Sequence, residues 1–153
     1  MSPLLSKDGT ILTDLYPLLP DDQPVPAEGR SVLVPLSRFT EIGRYSGIGL
    51  SLPNTTDVLK LPSSVLQLPL LALDFPSFGD GRAYSQARWL SGRLGYRGEL
   101  RARGQAVVLD QLEMLRSCGF SQFELRNDQN LQACADKLAH PTAVSRRRFP
   151  SLA

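Results

Sequence analysis

The sequence predicts an α/β fold: about four parallel strand–helix units, half-barrel-like or arranged as a small open parallel sheet, with a loosely ordered N-terminal segment. Three observations predict it. From residue 47 onward, short apolar runs alternate with segments of helical periodicity. The links between them are short, as parallel strands joined by right-handed crossovers require. Two of the strands carry charge at alternate positions, which segregates charge onto one face of a sheet.

Residues 1–31 read as a peripheral strand and a linker: Ile11 to Leu19 is apolar, and the prolines at 20, 24 and 26 break regular structure after it. The α/β domain is expected over 32–140, starting with a short element from Ser31 to Arg38. Gly47 to Leu52 is the next strand. Residues 55–67 form a weak helix candidate interrupted by Pro62, and Leu70 to Phe75 is a strand punctuated by Pro69 and Pro76. A helix is predicted over roughly 81–94, with Asp80 as N-cap and Gly95 as stop. Its Ala83, Ala87, Leu90 and Leu94 make one apolar stripe. Glu99 to Arg103 is a strand, 106–118 a helix ending at Gly119, and Gln122 to Arg126 a strand. Asp128 is the expected cap of a last helix that Pro141 terminates, and residues 141–153, with Arg146, Arg147 and Arg148, read as a flexible basic tail.

In the strand at 99–103, Leu100 and Ala102 point one way, while Glu99, Arg101 and Arg103 point the other. Phe123 and Leu125 likewise oppose Gln122, Glu124 and Arg126. Burying one unpaired charge costs several kcal/mol, so helices are expected on one face only. A half-barrel satisfies this, its concave face open or closed against a second copy in a homodimer. An open sheet with these strands at a solvated edge also satisfies it. The half-barrel is favoured.

The composition excludes several chemistries. Seventeen Lys and Arg against 15 Asp and Glu leave a net charge of +2, too balanced for a dedicated nucleic-acid binder. One histidine, His140, and two separated cysteines, Cys118 and Cys134, supply no zinc or iron–sulfur ligand set. Both cysteines fall in predicted helices with apolar neighbours and read as buried thiols of a reducing compartment. No secretion signal and no 18-residue apolar run occurs, so a cytoplasmic protein with no membrane span is expected. GxSxG, P-loop and GxGxxG motifs are absent, and no cofactor or metal is evident.

Ligands of parallel α/β folds sit beyond the carboxyl ends of the strands. That rule selects the segment from Asp74 to Arg82. Asp74 ends an apolar strand, where a carboxylate serves as general base or metal ligand; alternatively it pairs with Arg82 or Arg101 and fixes the loop. Gly79, Asp80, Gly81, Arg82 and Ser85 form either a cradle for a small anion at the helix start or a simple Asp80 cap. Arg101, Arg103 and Arg126 either contact an anionic ligand or form a salt-bridged sheet face with Glu99 and Glu124. Asp110 and Gln111 open the following helix, and His140 reads as a helix-end residue.

The run from Leu70 to Arg88, then Leu94 to Ala102, Asp110-Gln111 and Arg116 to Phe120 resemble the bacterial domain-of-unknown-function family 934 over residues 70 to 125. Members are described as oxidoreductases of sulfite reduction. The resemblance implies a role near assimilatory sulfate reduction, beside a sulfite reductase and a sulfonucleotide reductase, and carries over no catalytic residue. Two separated cysteines and one histidine do not hold a sirohaem and its cluster. The expected role is therefore an accessory protein with sulfite reductase as partner. The alternative is a small enzyme in which Asp74 is the base and Arg82 and Arg101 hold an anionic substrate.

Overall fold

Short apolar runs bounded by Pro and Gly become strands in the computed structural model, which describes residues 3–26, 31–42 and 47–141. In chain order they are β1 (Leu4–Ser6), β2 (Ile11–Leu12), β3 (Val32–Pro35), β4 (Ile48–Leu52), β5 (Leu70–Phe75), β6 (Glu99–Gly104) and β7 (Gln122–Glu124). One mixed sheet contains all seven, in the order β2-β1-β7-β6-β5-β4-β3. Strands β3 to β7 are parallel neighbours in chain order. The hairpin β1–β2 adds antiparallel at the β7 edge.

Parallel strands laid down in chain order, with crossovers of one hand, put every connection on the same face. The packing agrees. Leu50, Leu52, Leu71, Leu73, Phe75, Leu100, Ala102 and Phe123 form one buried face beneath the connecting segments. Two α-helices lie in those segments, α1 (Arg82–Arg88) and α2 (Leu112–Ser117), and a third, α3 (Leu131–Ala139), follows β7. Ala83, Ala87 and Leu90 of the predicted stripe are fully buried. Helix α1 is seven residues long and stops at Arg88, and residues Trp89–Arg93 continue it as a wider π turn in which Leu94 N–H bonds the Trp89 carbonyl at 2.9 Å. Gly92 lowers helical propensity there. The Ser91 hydroxyl also donates to the Ala87 and Cys118 carbonyls, which widens the turn against α2.

Other segments differ from expectation for local reasons. Residues 55–67 make two 3₁₀ turns, Val58–Lys60 and Ser63–Gln67, divided by Pro62. The first turn before α2 is also 3₁₀, Leu109–Gln111. Asn130, not Asp128, caps α3, accepting the Ala133 N–H at 2.9 Å. Asp128 is turned away by a forked pair with Arg126. Of the predicted tail, residues 141–153, all but Pro141 lie outside the described residues, the three arginines included. Among the described residues no helix is long and apolar enough to cross a membrane.

The largest addition to the sequence reading is at the N-terminus. Of the apolar run Ile11 to Leu19, only Ile11–Leu12 is a strand. The rest is an extended strap across the face on which, among the described residues, no helix lies. Asp14 reaches Arg101 in β6, and Tyr16 packs on Leu33, Leu70 and Ala72 from β3 and β5. At the far edge Leu33 donates to the Pro17 carbonyl and accepts from Leu19 N–H, both at 2.9 Å. Gly49 makes room for the Tyr16 ring, since a Cβ there would sit 3.2 Å from its Cδ1.

Candidate functional site at the carboxyl edge of the sheet

The register sets the polar face out in rows. Ala72, Arg101 and Gln122 are aligned, and one step toward the carboxyl ends Asp74, Arg103 and Glu124 are aligned. The strap covers the first row. The second row opens into a cleft of about 370 Å³, completed by the Gly104–Gln105 turn and by Arg126 and Asn127 beyond β7. Gly104 makes that turn possible. Its φ of +113° is in the region that favours glycine, and a Cβ would collide with the Phe75 carbonyl oxygen.

The charges alternate along these rows. Asp14 meets Arg101 Nη1 at 3.1 Å, and Arg101 Nη1 lies 4.0 Å from Glu124. Glu124 accepts from Arg103 Nε at 3.0 Å, and Arg103 Nη1 is 3.8 Å from Asp74. Arg101 is 1% exposed and also donates to Gln122 Oε1, so its guanidinium is spent on internal partners. Burial pushes the Asp74 carboxyl up from the ordinary range, opposed in part by the Arg103 charge and a hydrogen bond from Ser51. Arg126 is held by Asp128 and by the Gln105 carbonyl at 3.1 Å. That pairing draws the Asp128 carboxyl down to about 2.

The cleft therefore brings together Asp74, Arg103 and Arg126 of the candidate site residues, with Glu124 as the salt-bridge partner that the alternative reading of the arginines named. The others lie elsewhere. Asp80 accepts from the Arg82 backbone N–H at 3.2 Å, from Arg82 Nη2 at 2.6 Å and from Asn54 Nδ2 at 2.7 Å, which holds its carboxyl well below the usual carboxylate range. The N-cap of α1 is Gly81, with no side-chain cap bond, and not Asp80 as expected: the Asp80 carboxylate takes the Arg82 N–H and is otherwise held by the Arg82 and Asn54 side chains. Asp74 pairs with Arg103, not with Arg82 or Arg101. Ser85 lies on the outer side of α1, in a separate hollow against α2.

Chemically, the cleft offers carboxylates and guanidiniums already paired with one another, arranged as neighbouring charges of both signs. The two thiols lie away from it. Cys118 is 2% exposed and Cys134 is fully buried, with its thiol pushed up by desolvation. Among the described residues no three His, Cys, Asp or Glu side chains gather as metal ligands do.

A family model described as bacterial protein of unknown function (DUF934) matches residues 49–146, from β4 past the end of α3. No curated protein and no solved structure matches the chain.

Proposed function

This chain belongs to the bacterial DUF934 family, and we propose that it is a cytoplasmic accessory protein of assimilatory sulfite reduction that supports the sulfite reductase by docking to it. The carrying observation is the carboxyl-edge cleft, where Arg103, Glu124 and Arg126 present charges of both signs on one open surface. A pattern of mixed sign is read by a protein surface with the complementary pattern. Electron transfer through this chain's own thiols is disfavoured, since Cys134 is fully buried and Cys118 is 2% exposed.

The test is retention of purified bacterial sulfite reductase on the immobilised full chain. Salt-sensitive retention that survives Asp74→Asn and falls with the double change Arg103→Glu and Arg126→Glu is the expected result. No retention at low salt overturns the reading.

One observation favours a second reading, a small enzyme acting on an anionic substrate. Asp74 stands at the carboxyl end of β5 with its carboxyl raised by burial, the direction that makes a carboxylate a stronger base. In that reading Asp74→Asn abolishes turnover or tight anion binding, whereas docking leaves the variant competent. A sedimentation measurement decides whether two copies associate over the part of the polar face that the strap leaves open.

A further inference from the structure

Paired arginines make the carboxyl-edge cleft a poor anion receptor, because an incoming anion must displace Glu124 or Asp128. The hollow between α1 and the start of α2 has the opposite character. Tyr84, Ser85, Arg88, Gln111, Met114 and Cys118 line about 290 Å³, at the low end of small-molecule sites. None of these six residues is acidic. Arg88 is exposed there, its Nε donates to Cys118 Sγ at 3.4 Å, and it pairs with no carboxylate among the described residues. The Tyr84 hydroxyl donates to Gln111 Oε1 at 2.9 Å, which fixes that amide and leaves its NH₂ group as a donor. The Ser85 hydroxyl adds a third donor beside the guanidinium and the amide.

We propose that this hollow between α1 and α2 is a binding site for a small ligand carrying an oxyanion group, such as a carboxylate, sulfonate or phosphate, on a compact apolar body. The guanidinium of Arg88 takes the oxyanion in its fork, with Ser85 and Gln111 donating beside it. Met114, 37% exposed, and the edge of the Tyr84 ring receive the apolar part. The site is distinct from the carboxyl-edge cleft and does not depend on the sulfite-reduction reading. It retains Ser85 from the sequence-level anion site and replaces Arg82, whose guanidinium is committed to Asp80, with Arg88 one helical face away.

Isothermal titration of the full chain with benzenesulfonate, at constant ionic strength set by chloride, tests this, with sulfate as the bare anion and benzyl alcohol as the neutral body. Benzenesulfonate is expected to bind at one site, more tightly than either part alone. Arg88→Met is expected to weaken it about tenfold or more, as loss of a charge-assisted contact does. Arg88→Lys is expected to retain part of the affinity, and Gln111→Met to weaken it to a lesser degree without removing a charge. Arg103→Met and Arg126→Met, in the other cleft, are expected to leave it unchanged. The proposal is overturned by absence of binding at millimolar probe, by an Arg88→Met protein that binds equally well, or by loss of binding in the Arg103 or Arg126 variants.

Discussion

Asp74 and Arg101 sit one row apart on the same sheet face, yet burial treats them in opposite ways. Arg101 has its counter-charges built in, at Asp14 and Glu124. Removing it strands two carboxylates near the interior. Arg101→Met is expected to cost about 3 kcal/mol, the lower end for breaking a buried ion pair because both acids keep some contact with water, read from urea unfolding. Asp74 has a share of Arg103 at 3.8 Å and a hydrogen bond from Ser51, together too little to offset its desolvation. The folded state thus holds the Asp74 proton more tightly than the unfolded chain does. Stability from this group falls as pH rises from the ordinary carboxylate range through the raised folded-state value. Asp74→Asn is expected to raise the urea midpoint at pH 7 and to lose that advantage at pH 3, below both values. Alternation of Leu100, Arg101, Ala102 and Arg103 told which face each residue occupies. It carried no information on what covers that face, because Asp14 is 87 positions from Arg101 in sequence.

At the scale of elements, legibility followed punctuation. Leu70 to Phe75 is bounded by prolines and is a strand over those same six residues. Ile48 to Leu52 and Glu99 to Gly104 fall within a residue or two of expectation. Strand β1 has three residues and no turn signal before it, so it was invisible, although Leu4 and Leu5 are among the buried core. The last helix was found, and its cap was misplaced by two positions. Asp128 and Asn130 are both good caps by residue type, and the choice was made by Arg126, which claims the aspartate. Asn130→Ala is therefore expected to destabilise the protein by about 1 kcal/mol, and Asp128→Ala by less, since it removes an exposed ion pair and no cap. Chemical denaturation of the two variants side by side decides it. The two hollows illustrate the same limit. Spacing placed Ser85 near the start of α1, and only the packing of α1 on α2 showed that it shares a wall with Arg88 and Gln111.

Over the whole molecule, a sheet wound in one direction leaves one face without helices, and the sequence reading of a polar face led to that architecture. Which body lies on the face was beyond it, since a second copy, solvent and the chain's own N-terminus satisfy the same alternation. The strap is the part that the α/β pattern does not contain. Its two ends are fastened to opposite edges of the sheet, at β1–β2 and at β3. On a ribosome the residues made first must wait for those made late. Beyond its own hairpin with β2, β1 has no sheet to join until Gln122 to Glu124 emerge, so the hairpin and Leu15, 67% exposed even in the finished fold, remain uncovered while most of the chain is synthesised. Long-range pairing of this kind is slow to form, and a bulky domain fused ahead of Pro3 would tax assembly at its last step, after the parallel strands have already closed ranks.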